Sequence, residues 1–311
     1  MNDFSGQFDR IRADLRNVGG CENYRHFRMH LRPRYWLARA DVLISACLFA
    51  ATLTLSWCVT SAIPILFVPF AVLIGLFLHR LSLFLHEGAH FLLASERMWN
   101  DLFTNALVGV FVLSDVRQYR FGHMNHHRHL GTSLDPERSY QTALNLRRVF
   151  WTLIGRNAID VILRRESHAS AVTRVRTRHF VPLAGLLIYG ILIGAGFAGD
   201  HAWFSLSAIV GVICVFPLVA TLRQTAEHRY SKATFVSVDG HPITRLFEGR
   251  IANFFFGAAG FGDHLLHHWD PGLSYTRLPE LRLALLNTEL GPILRERTSR
   301  YVPTIRTLWA W

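Results

Sequence analysis

Between residues 42 and 78 the chain carries no Asp, Glu, Lys or Arg. As one helix that run would extend about 55 Å, nearly twice the hydrocarbon thickness of a bilayer. Pro64 lies near its middle, beside Thr60 and Ser61, so the run reads as two spans, 42–61 and 65–85, joined by a tight turn. A second pair is expected at 180–199 and 202–222, divided at Asp200 and His201. Half of the 311 residues are hydrophobic, which argues against an ordinary soluble domain. The expected fold is an all-α integral membrane protein. Four transmembrane helices form two hairpins under a cytoplasmic helical cap, and residues 1–311 make a single domain.

Arginine sets the orientation. The chain has one lysine, Lys232, against eight arginines in residues 1–40 and thirteen in residues 94–179. The turns near 62 and 200 carry none. The positive-inside rule then places both termini and the long middle segment in the cytoplasm, of a bacterial inner (plasma) membrane. The net charge of +11 is accounted for by this face and by anionic lipid, so nucleic acid binding is not expected. Residues 1–40 are polar and basic with no early apolar core, and read as an amphipathic lead-in on the membrane surface. Cys21, Cys47, Cys58 and Cys214 show no paired spacing and read as packing residues without disulfides.

The chemistry lies in the histidines. Of 17, nine form a pattern: His86 and His90 in HEGAH, His123, His126 and His127 in HMNHH, His264, His267 and His268 in HLLHH, and His228 in QTAEHR. The other eight, His26, His30, His79, His129, His168, His179, His201 and His241, are scattered and read as surface or hydrogen-bonded residues. On a helix, positions i, i+3 and i+4 share a face, so each group aims its rings in one direction. Counted from the outer turns, His90 and His228 each lie about 38 Å along their helices, just past the cytoplasmic edge of the core. All nine can therefore meet in one layer. Neutral imidazoles with few carboxylates suit iron or zinc, and nine ligands fit two ions better than one four-coordinate zinc. Glu87, Glu227, Asp135, Asp263 and Asp270 are near enough in sequence to accept the outer ring N–H of such ligands.

The three groups HEGAH, HMNHH and HLLHH, with the flanking HHRHLGTSLDPE and HLLHHWDPGLSYTRLPEL, resemble the membrane fatty acid desaturase-like family. The resemblance runs from the first hairpin to about residue 282. It implies a four-span scaffold and two iron ions held by His86, His90, His123, His126, His127, His264, His267 and His268. His228 looks like the additional ligand that some members place before the third box. Those members carry Asn four residues earlier, where this chain has Gln224. The resemblance further implies O2 as co-substrate, a membrane lipid or fatty acyl substrate, and electrons from a separate ferredoxin-like or cytochrome donor. The reaction it implies first is acyl desaturation; relatives use similar boxes for lipid or carotenoid hydroxylation, ketolation and fatty acid decarboxylation. The uncharged stretch IANFFFGAAGFG, 251–262, is too short to span and reads as an interfacial element whose Phe254, Phe255 and Phe256 line an acyl channel. Pro217 is expected to kink the fourth span.

Two other classes remain open. HEGAH also fits HExxH, the motif of an intramembrane zinc protease with His86 and His90 as ligands and Glu87 as base. That reading leaves both HxxHH groups without a purpose. A metal transporter would need ionisable groups at mid-bilayer, where these spans have none.

Overall fold

The computed structural model describes residues 24–156, 179–288 and 290–310. Residues 1–23 of the lead-in, Cys21 and His168 lie outside them. The described chain is mostly helical, and four of its helices are long and apolar enough to cross a membrane. After the short α1 (Tyr24–His30), these are α2 (Tyr35–Thr60), α3 (Pro64–Ala89), α7 (Phe180–Ala198) and α8 (Ala202–His228). Between α3 and α7 come α4 (Arg97–Thr104), α5 (Val116–His129) and α6 (Leu146–Leu153). After α8 come α9 (Arg250–Phe255), α10 (His264–Trp269), α11 (Leu278–Leu286), α12 (Gly291–Arg297) and α13 (Tyr301–Leu308). Two-residue strands β1 (Leu246–Phe247) and β2 (Thr298–Ser299) pair in parallel.

Each spanning helix shows how its sequence was spent. On α2 the buried positions Val42, Ser45, Phe49, Thr52, Ser56 and Thr60 recur every three or four residues, a single stripe. Leu43, Ile44, Leu55, Cys47 and Cys58 face outward, so these two cysteines are on the apolar surface and not in the packing. The hydroxyls of Ser45, Thr52 and Thr60 each donate to the carbonyl four residues earlier, at 2.7 Å, which satisfies them without water. Helix α3 is the most enclosed, with a nearly continuous buried run from Leu78 to Ala89. Its Gly75 meets Val215 of α8, where an added Cβ would lie 2.5 Å from the valine side chain, and Gly211 of α8 sits equally close to Ile74.

The turns after α2 and α7 lie together at one end, where Ser61 Oγ and His201 Nδ1 are 2.6 Å apart and His201 stacks on Trp57. The helices run past the apolar windows read from sequence. Helix α2 begins at Tyr35, α3 continues to Ala89 and α8 to His228, so Glu87 and Glu227 ride on the ends of spanning helices. Protein, not lipid, surrounds those ends. At that end a separate core of Leu246, Leu265, Leu266, Leu281, Leu285 and Leu294 holds the C-terminal helices together. Each fully buried Leu contributes roughly 2 kcal/mol. Leu31 and Phe27 join this core, and Arg28 is ion-paired with Asp270, so the described part of the lead-in packs on the C-terminal region.

Candidate metal centre

Four elements deliver histidines to one layer. The last turn of α3 carries His86, and His90 is its C-cap. The carbonyls left open at that end are filled from outside the helix. Asn100 Nδ2 donates to Gly88 O at 2.8 Å, and Arg120 donates to Gly88 O at 2.9 Å and Ala89 O at 2.7 Å. Asp101 holds Arg120 in turn, so the HEGAH box is bolted to α5, which carries HMNHH. The start of α5 is fixed by Asp115, whose carboxylate accepts from Arg117 N at 2.8 Å. Helix α8 ends on His228. Its start is apolar and its middle contains a π-helical turn, Gly211–Val215, immediately before Pro217. Proline cannot donate to the helix ladder, and the widened turn stands beside that defect, so the helix accommodates Pro217. Helix α10 is buried at all six residues. Ala259 and Gly260, at φ 51° and 82°, turn the chain into it.

The nine imidazoles fall into two adjoining groups. His86, His90, His123, His127 and His267 have ligand atoms within 4.8 Å of one another. His126, His228 and His268 form a second set, and His264 and Glu227 adjoin His228 in the same way. In the first group His123 Nε2 lies 3.0 Å from the Nε2 atoms of both His90 and His127, and His267 Nε2 lies 3.1 Å from that of His127. In the second, His264 Nε2 is 3.0 Å from His228 Nε2 and 3.2 Å from His268 Nε2. Helix α5 serves both groups, sending His123 and His127 to one and His126 to the other, and α10 divides His267 from His264 and His268 in the same way.

The donor chemistry fits cations. His123 Nδ1 faces Glu137 at 3.2 Å and His126 Nδ1 faces Asp135 at 2.9 Å. Carboxylates there place the ring protons on Nδ1 and leave Nε2 as a bare lone pair turned toward other Nε2 atoms. Lone pairs that converge at 3 Å offer a cation a ready set of donors. His86 Nε2 is buried with no hydrogen-bond partner at all. Burial, then neighbouring charged groups, chiefly imidazoles, holds His127, His264, His267 and His268 well below the usual histidine pKa, which favours the neutral rings that could hold a metal. Burial, His123 and Arg120 do the same to His90. Burial also lowers His126, but the Asp135 hydrogen bond and Glu137 outweigh it and the net shift is upward.

The carboxylates divide by role. Asp135 is buried and accepts from His126, from Tyr140 Oη at 2.6 Å and from Glu137 N at 2.8 Å. Glu87 lies 3.7 Å from His86 Nδ1, behind that ring, so it does not face the place where a protease base would act. Glu227 is turned inward: its Oε2 lies 3.9 Å from His264 Nε2, on the ligand side, and Arg223 holds it. Asp263 and Asp270 are held by Arg282 and Arg28. Gln224 ties α8 to the loop after α5, donating to Glu137 O at 2.9 Å and accepting from Ser139. Phe254, Phe255 and Phe256 pack on Phe77, Arg80 and His79, and line neither of the two cavities near the histidines. Their sequence neighbour Phe261 is the one that faces the histidines: its ring lies 4.7 Å from His86 and 4.8 Å from His264, beneath the Arg223 guanidinium.

Glu137, Arg223 and Phe261 were not anticipated. Glu137 follows Asp135 by two residues in LDPER, and Arg223 stands four before Glu227, so each was within reach of a spacing argument. Of the scattered histidines, His79 is buried and bonded to Phe255 O at 3.0 Å, while His179 is exposed.

Four apolar helices closed at one end by a layer of nine imidazoles in two groups, seven buried and two half-buried, define a polyhistidine membrane protein. The model of the fatty acid desaturase family matches residues 62–296, and the chain belongs to that family. No curated protein matches it.

Proposed function

We propose that the protein is an O2-dependent di-iron oxidoreductase that desaturates a fatty acyl or related lipid chain, with electrons from a separate carrier. The observation that carries this reading is the split of nine imidazoles into adjoining groups of five and four, the second completed by Glu227. His86, His90, His123, His127 and His267 would hold one iron. His126, His228, His264 and His268 would hold the other. Two bound irons supply the oxidising power to break an unactivated C–H bond, which side chains alone lack. In the overall reaction two C–H bonds are lost from neighbouring carbons, and two external electrons and two protons accompany reduction of O2 to two waters.

The protein's own contribution is orientation and exclusion. Asp135 and Glu137 hold the Nδ1 protons of His126 and His123 and so fix both rings. Arg223 holds the Glu227 carboxylate in place at the inner face through an ion pair. Phe261 covers the layer and keeps water from it. With the turns of the two hairpins on the outer side, as the arginine distribution supports, this layer would lie at the cytoplasmic rim of a bacterial plasma membrane, within reach of a ferredoxin-like or cytochrome donor.

The test uses purified protein and a lipid extract. His127→Ala or His267→Ala should abolish oxidation and lower bound iron, and His179→Ala should change neither. Mass spectrometry of the lipid reads the product: loss of two hydrogens is desaturation, gain of one oxygen is hydroxylation. Equal iron in all three variants would sink the ligand assignment.

A further inference from the structure

A second cavity, about 260 Å³, adjoins the segment that carries Phe261. Gly260 and Gly262 line it, while Phe261 between them lines the histidine cavity, so the two cavities share this loop. Phe84, two residues before His86, also lines it. Its walls are unusual for a space beside membrane helices. Asp41, Arg80, Asp263, Tyr275, Arg282 and Asn253 all face it.

These groups are held in place. Arg80 is buried, donates to Ser45 Oγ at 3.1 Å and to Phe254 O, and lies over the Phe254 ring at 4.2 Å. Tyr275 Oη donates to Asp41 at 2.6 Å. Arg282 donates to Asp263 at 3.2 Å. Asn253 donates to Phe247 O at 2.9 Å, and its Oδ1 is a buried acceptor without a partner. Two carboxylates offset two guanidiniums, so the cavity offers fixed donors and acceptors with no net charge. An anionic head, carboxylate or phosphate, would find no net attraction there, since Asp41 and Asp263 offset Arg80 and Arg282. A plain hydrocarbon end would leave the polar walls unmatched.

We infer that this cavity receives the uncharged polar head of a long-chain substrate, a hydroxyl or a carboxamide, and thereby places carbons near the head against the histidine layer. The inference rests on the oxidoreductase reading for its consequence, but the binding itself does not. With the head seated beside the Phe261 loop, the chain carbons nearest the head are the ones that reach the histidines. Oxidation close to the polar end follows.

Binding is measured first, on purified protein in lipid nanodiscs with empty discs as the blank. The probes are tritiated hexadecanol, hexadecanamide, hexadecanoate and hexadecane. The alcohol and the amide should bind about tenfold more tightly than the acid or the alkane, the scale of one hydrogen bond to a charged partner. Tyr275→Phe and Asp41→Asn should erase that preference while bound iron is unchanged. Equal binding of all four probes, or tightest binding of the acid or alkane, overturns the inference whatever the variants do. Iron-loaded protein that binds the alcohol selectively and oxidises none of the probes would instead sink the oxidoreductase reading and leave the head site standing.

Discussion

Asp135 is the carboxylate on which the second histidine group leans most. It is fully enclosed and takes hydrogen bonds from His126, Tyr140 and the Glu137 backbone. Asp135→Asn keeps the size but removes the charge that holds the His126 proton on Nδ1. Loss of such a partner costs about 10- to 100-fold in metal affinity. Dialysis against graded chelator should therefore strip iron from the variant at a correspondingly lower chelator concentration, with about half the iron released first. Unchanged retention would mean that the ring is oriented by packing alone. The histidines themselves were legible because i, i+3, i+4 spacing is local information. Their supports were less so. Asp135 was in reach, nine residues from His126, but the Arg282 partner of Asp263 and the Arg28 partner of Asp270 come from remote segments that only the folded chain brings near. Gln224 shows the same limit: its position suggested the metal, and its bonds go to Glu137 O and Ser139.

At the scale of elements, hydropathy located the four spanning helices and missed how two of them touch. Helices α3 and α8 cross at Gly75 and Gly211, the second of which opens the π-helical turn before Pro217. Neither feature has a hydropathy signature, since glycine inside an apolar run reads as filler. The crossing nonetheless sets where His86 and His228 end up, because both helices continue from it to the histidine layer. Gly75→Val places side-chain atoms where Val215 already is. Overpacking of this kind costs about 1–3 kcal/mol. The variant should melt at lower temperature in detergent and hold less iron, although residue 75 lies about 16 Å along the helix from His86. Wild-type iron content with wild-type melting would show that the crossing is slack. The stretch 251–262 was read at this scale as well. Its apolar character was plain, but which of its phenylalanines turns inward was not, because the left-handed Ala259 and Gly260 redirect the chain between Phe256 and Phe261.

For the whole molecule, the open question is which side of the membrane the histidine layer faces. Arginine distribution favours the cytoplasmic side before any site is considered. The turns that meet through Ser61 and His201 carry no arginine, whereas the segments around the histidines carry most of the chain's basic charge. Reversing the protein would move that charge to the outer side against the rule that governs insertion. Labelling can decide it. With Cys21, Cys47, Cys58 and Cys214 replaced by Ser, Asp200→Cys should react with an impermeant maleimide in intact cells. Leu134→Cys, on the loop after α5 and exposed at 66%, should react only after the membrane is opened. The opposite pattern would place the histidines outside, away from cytoplasmic reductant. No separate intracellular carrier could then serve them, and the proposed electron supply would fail even with every ligand in place.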